Sequence, residues 1–116
     1  MYREPLPSQK MVNNVSLKNK GEIFTLQKGK VCVGRCKLYR TNKHSAILGN
    51  FIVYKRYRNK GYGSVLLSSV IKTRLNIMLW VDIDNPVAYR LYTKHGFKQI
   101  GMGSDKLAIL FLKQKM

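Results

Sequence analysis

Residues 51–67 read FIVYKRYRNKGYGSVLL: an apolar run, a cluster of cations, two glycines two apart, and a second apolar run. No other stretch restricts the fold as much. The first run extends back through SAILGNFIVY (45–54), which is nearly continuous and of strand length, as expected of a central strand buried on both faces. From Ser64 to Leu75, Val65, Leu66, Ser69, Val70 and Thr73 recur at spacings of three and four, the stripe of a helix. A strand that passes to a helix through Arg58-Asn59-Lys60-Gly61-Tyr62-Gly63 requires a sheet with a helix lying on it.

The same turn suggests chemistry. A helix start carries N–H groups without intrahelical partners and the positive end of a dipole. Glycine lets a ligand approach the backbone because no Cβ intervenes. Together they form an anion site suited to a pyrophosphate, and Arg56, Arg58 and Lys60 add charge around it. It is not a Walker loop, since GxxxxGK[ST] is absent. It is not a dinucleotide fingerprint either, because Leu66 stands where the third glycine belongs. The plainer alternative is a tight strand-to-helix turn with solvated cations.

Strand signals precede this unit: MVNNVSL (11–17), GEIFTL (21–26) and KVCVGRCKLY (30–39), the last two joined by QKGK with Gly29 in a hairpin turn. TNKH (41–44) is polar and turn-like. After the helix come NIMLWVDI (76–83) as a buried strand and DNPVAYRLYTKHG (84–96) as a second helix. Asp84 or Asn85 caps that helix, Pro86 takes its first position and Gly96 follows its end. FKQIGMG (97–103) and DKLAILFLKQ (105–114) are closing strands. The expectation is an α/β (α+β) domain: a mixed, mostly antiparallel twisted sheet of about six strands with two main helices.

A chain of 116 residues that is 45% hydrophobic suffices for one domain, 1–116, with a modest core. No apolar run approaches the ~18 residues of a membrane span. MYREPLPSQK at the start lacks a secretory apolar stretch and reads as a polar arm, so an intracellular, cytoplasmic protein is expected, monomer or dimer. Lys and Arg number 22 against five acids, a net charge of +17 that attracts polyanions. The cations are dispersed along the chain, which suits a folded domain with a positive face better than a basic tail. Cys32 and Cys36 would lie ~13 Å apart on a strand, too far for a disulfide, and their spacing matches no zinc pattern. No metal site is expected.

FIVYKRYRNKGYGSVLL resembles the signature of the GNAT N-acetyltransferase superfamily: an apolar strand ending in Val, a basic link, then Arg-x-x-Gly-x-Gly opening a helix. LWVDIDNPVAYRLYTKHGF resembles the family's second block, with Asn85, Ala88, Leu91, Tyr92, Gly96 and Phe97 in register. The resemblance covers roughly residues 22–112. It implies acetyl-coenzyme A as cofactor, its pyrophosphate on the amides of Arg58, Asn59, Lys60, Gly61, Tyr62, Gly63 and Ser64. Phe51, Ile52 and Val53 would pair with the pantetheine arm, which requires this strand and the next to splay apart. Asn85 matches the family asparagine near that arm. Tyr92 matches the tyrosine that gives a proton to the departing thiolate, and a phenol of pKa ≈ 10 is protonated at neutral pH.

Two departures stand out. Many relatives have two helices between the first and second strands, where this chain has only KNKG and its neighbours. Residues 1–20 are thus a reduced arm and first strand, and the acceptor site is expected to be open, as suits a macromolecular acceptor. The strand at 45–54 also lacks the acidic base that relatives often place there, offering Gly49 and Asn50. Asp82 is the nearest candidate base, followed by Asp84 and Glu22. His44 and His95 read as surface residues. The expected function is acetyl transfer to an amine of a protein or a nucleic-acid-associated target. The alternative is a catalytically inactive basic module that binds nucleic acid, with Tyr54, Tyr57 and Tyr62 among its cations, or an inhibitory effector.

Overall fold

In the computed structural model, described over residues 15–20 and 22–114, the strand signals close into one sheet. Its elements are β1 (Val15–Lys20), β2 (Ile23–Lys28), β3 (Val31–Asn42), β4 (Ser45–Val53), α1 (Tyr62–Ile71), β5 (Asn76–Asp82), α2 (Pro86–Lys94), β6 (Lys98–Met102) and β7 (Leu107–Leu112). The seven strands, against about six expected, lie in the order β1-β2-β3-β4-β5-β7-β6. Only the β4–β5 pairing is parallel among these neighbours. The polar arm at 1–10 and the start of the strand expected at 11–17 lie outside the described residues.

Local chemistry explains the turns. Gly29 takes φ 63° between β2 and β3. The Asn42 side chain accepts the His44 N–H at 2.8 Å between β3 and β4, so the predicted TNKH turn is tighter than expected and β3 runs on to Asn42. β5 continues through α2 into β6, with β7 inserted between the two strands. Both β4-α1-β5 and β5-α2-β6 advance in the same direction across the sheet. Right-handed crossovers therefore put both helices on one face. The core lies beneath them: Leu26, Leu38, Leu66, Leu67, Ile77 and Leu110 are fully buried. Each such side chain contributes about 1.5–3 kcal/mol of burial.

Three expectations need correction. β4 is not buried on both sides; Ala46 and Leu48 are buried, Asn50 is exposed and the rest is half-buried, because only one face carries helices. α1 starts two residues early, since Gly61 ends the turn, and stops at Ile71. There Thr73 Oγ1 donates to the Val70 carbonyl and Arg74 turns left-handed at φ 65°. Its buried face is Tyr62, Leu66, Leu67 and Val70, so Tyr62 is a core residue although it sits among cations in the sequence. With 2% exposure its ring is not available for stacking on a nucleobase.

Candidate active site

The β4–β5 ladder holds for three register pairs, Ser45 with Asn76, Ala46 with Ile77 and Ile47 with Met78. Beyond them the strands separate, and a cleft of about 860 Å³ passes through the sheet. A bulge in β4 shapes its near wall. Between the pairs Lys37–Gly49 and Arg35–Ile52, Cys36 alone faces both Asn50 and Phe51. Asn50 adopts φ 55°, and its side-chain amide donates to the Tyr39 hydroxyl at 2.8 Å. Gly49 lets the Tyr39 ring lie close over the strand: a Cβ there would stand 2.8 Å from Tyr39 Cε1 and displace the ring.

The strand-side lining includes Phe51, Ile52 and Val53. At the turn, Arg58, Asn59, Gly61, Gly63 and Ser64 border the cleft, whereas Lys60 and the buried Tyr62 do not. Gly61 is the N-cap of α1 at φ 84°, a conformation that costs other residues about 1–2 kcal/mol. No side chain caps this helix and no acid occupies its first turn. Val65 is the first helical residue whose N–H reaches back, to the Gly61 carbonyl at 3.3 Å. The N–H groups before it lack intrahelical partners. Arg58 Nε donates to the Val53 carbonyl at 2.8 Å, so its guanidinium is fixed between the strand end and the helix start.

Asp82, Asn85 and Tyr92 come from the opposite wall. Asn85 caps α2 by accepting the Ala88 N–H at 3.2 Å, which settles the choice between Asp84 and Asn85. Asp84 instead pairs with Lys106 at 2.9 Å, and Glu22 pairs with Arg40 at 3.1 Å; neither lines the cleft. Asp82 is exposed, with Oδ1 accepting the Asp84 N–H at 2.8 Å. His44 is exposed, and His95 Nδ1 lies 3.0 Å from the Leu91 carbonyl at the end of α2.

Tyr92 is buried, edge-on to Phe51 at 5.7 Å and to Phe97 at 5.8 Å. Burial pushes its phenol up to about 12, with a smaller contribution from the Cys36 thiolate. Burial likewise pushes the Cys36 thiol up to about 12. Both groups are protonated at neutral pH. Among the described residues the Tyr92 hydroxyl makes no hydrogen bond. The described residues hold no group of His, Cys, Asp and Glu suited to a metal ion, and no described helix is long and apolar enough to cross a membrane.

Sequence reasoning missed Trp80, which lines the cleft while 44% exposed, and the Tyr39–Asn50 pair. A glycine inside an apolar strand run is the signal that could have marked the bulge.

The model of the "Acetyltransferase (GNAT) family" matches residues 2–97. A search of curated proteins finds no match. Among solved structures, a protein from Pyrococcus horikoshii OT3 is 26% identical, with TM-score 0.70 over 81% of this chain and 66% of that one. Ard1 from Thermoplasma volcanium is 24% identical, with TM-score 0.71 over 82% of this chain and 72% of its own. PaiA N-acetyltransferase from Thermoplasma acidophilum, solved in complex with coenzyme A, is 22% identical, with TM-score 0.69 over 80% of this chain and 60% of its own. The chain thus spans between 60% and 72% of the length of these three structures. With the family model matched over residues 2–97, this chain belongs to the acetyltransferase (GNAT) family.

Proposed function

We propose that this protein is an N-acetyltransferase that moves an acetyl group from acetyl-coenzyme A to an amine on a macromolecular acceptor. The GNAT family uses acetyl-coenzyme A as co-substrate. The observation that carries the reading is the break in the β4–β5 ladder after Ile47 and Met78, with a buried, protonated Tyr92 at the opening. The cleft suits a long ligand with an anionic end. Backbone of Phe51–Val53, freed from β5, can hydrogen-bond an extended arm as an added strand would. The start of α1 offers the amides of Gly61, Tyr62, Gly63 and Ser64 to a pyrophosphate, flanked by Arg58 and Asn59. Tyr62 would contribute only its N–H, because its ring is in the core. Asn85 borders the arm from the far wall.

When bound, the thioester supplies an activated acetyl carbon. The acceptor amine forms the new C–N bond as the C–S bond breaks. Tyr92 Oη gives its proton to the departing sulfur, and Asp82 or water accepts the proton lost by the amine. A phenol raised to about 12 holds its proton firmly until negative charge develops on sulfur beside it. The mouth of the cleft beside Trp80 and Asp82 is open among the described residues, which supports a macromolecular acceptor over an enclosed metabolite.

Calorimetric titration with coenzyme A, followed by transfer of labelled acetyl to protein acceptors, tests this reading. Binding by wild type and by Tyr92→Phe, with transfer lost only in the variant, is the expected result. Failure of the wild-type chain to bind coenzyme A overturns it.

A further inference from the structure

The face of the sheet opposite the helices carries the wrong residues for open water. A one-sided antiparallel sheet normally alternates apolar inward with polar outward. Here the residues that alternate with the buried Leu38, Ala46, Ile77 and Leu110 are themselves apolar across the middle of the sheet. Tyr39 pairs with Ile47, Ile47 with Met78, and Met78 with Phe111, one row over four adjacent strands. Trp80 and Ile109 pair in the next row. Tyr39 is 41% exposed and Trp80 44%, and they stand on either side of the line where β4 and β5 part. The cleft therefore opens onto this face, through Gly49, Trp80 and Asp82.

Charge borders the row. Arg35 and Lys37 lie on the same face of β3, paired with Ile52 and Gly49, and Lys98 of β6 pairs with Phe111. Lys37 Nζ sits 4.8 Å from the centroid of the Tyr39 ring. Asp82 is the acid on this face, beside the cleft mouth. The pattern is an apolar centre, rich in Trp, Tyr and Met, inside a cationic rim, which is the make-up of a protein-binding surface.

Building on the acetyltransferase reading, we propose that this face docks an acidic polypeptide with apolar side chains at every second position, and that the docked chain presents its amine to the cleft past Trp80. Charge complementarity selects this occupant. A second copy would set Arg35, Lys37 and Lys98 against their own kind, and like charges across an interface are repulsive. Nucleic acid would satisfy the cations but leave the aliphatic side chains of Ile47, Met78 and Ile109 without a match, since its recognition relies on phosphate contacts and stacking.

The test uses the full chain and a labelled twelve-residue peptide of alternating Leu and Glu with one central Lys, measured by fluorescence anisotropy. The comparison probes are the same peptide with Lys in place of Glu and a twelve-nucleotide oligo-uridine. The acidic peptide should bind, and Ile109→Asp and Lys98→Glu should each weaken it about tenfold or more, whereas Lys72→Glu, at the C-cap of α1, should change it less than about twofold. Lys98 is exposed, so its variant reads the surface even where Ile109→Asp unfolds. Coenzyme A affinity, titrated in parallel, should be equal in wild type and Lys98→Glu. Coenzyme A binding without peptide binding overturns the docking surface and leaves the acetyltransferase reading intact. Tighter binding of oligo-uridine that ignores Ile109→Asp overturns it in favour of RNA. A wild-type dimer dissolved by Lys98→Glu or Ile109→Asp overturns it in favour of a second copy.

Discussion

The two helices begin in opposite ways. α2 is closed at its start: the Asn85 side chain accepts the Ala88 N–H, and Pro86 removes one donor outright. α1 starts from a left-handed Gly61 with no side-chain cap and no acid in its first turn, and Arg56, Arg58 and Lys60 come just before it in the chain. A capped helix end gains about 1 kcal/mol from satisfied donors. An uncapped one preceded by cations forgoes that gain and adds like-signed repulsion from the dipole. One end therefore serves stability, and the other keeps its first N–H groups uncapped, as the proposed pyrophosphate site requires.

Four measurements would break or sharpen that contrast. The largest effect belongs to neither helix end but to the body of α2. Tyr92→Phe should slow acetyl transfer by about 10²- to 10⁴-fold while coenzyme A affinity stays within about twofold, measured by single-turnover rates and calorimetry. An equal loss of affinity would mean that Tyr92 holds the ligand and does not donate a proton to it.

Next comes alkaline stability. Tyr92 and Cys36 both have folded pKa values raised to about 12, above ordinary values of 10.0 and 9.0. Their contribution is complete below the ordinary values and disappears as pH climbs through the folded ones. Denaturant melts should lose stability between about pH 9 and 12, by roughly 2–3 kcal/mol for the phenol alone, and Tyr92→Phe should flatten the fall. An unchanged slope in that variant would place the alkaline loss elsewhere.

Gly61→Asp puts a carboxylate at the open end of α1. Coenzyme A affinity should drop about 10- to 30-fold, with the deficit shrinking as salt is raised. A loss of affinity no larger than that of Gly61→Ala would remove charge from the explanation. The smallest effect is at the closed end: Asn85→Ala should cost about 1 kcal/mol of unfolding free energy, and Asn85→Asp should restore it. A neutral Asn85→Ala would erase the contrast between the two ends.

The contrast was legible in sequence because caps are local. Asn85, Pro86 and Gly96 punctuate α2 within a dozen residues, and the Gly61–Gly63 turn announces itself by composition. What escaped depends on partners distant in the chain. The burial of Tyr62 follows from α1 rolling that position onto the sheet, and its cationic neighbours in sequence concealed it. The one-sided burial of β4 follows from two crossovers of the same hand, which no window of residues displays. The β4 bulge follows from a registry slip against β3, and only Gly49 and Asn50 within an apolar run hinted at it.

The short β4–β5 ladder has a mechanical consequence. Its closed end is bolted: Asn76 N–H donates to the His44 carbonyl at 2.8 Å, the Gln114 N–H to the Asn76 side chain at 2.8 Å, and the Gln114 amide to the Ile71 carbonyl at 3.0 Å. The other end has no rungs, so β1–β4 and β5–β7 form two leaves joined at a spine. The proposed guest between the leaves would supply the missing rungs itself. Amide exchange along Leu48–Val53 would then slow more on loading than exchange anywhere near the spine.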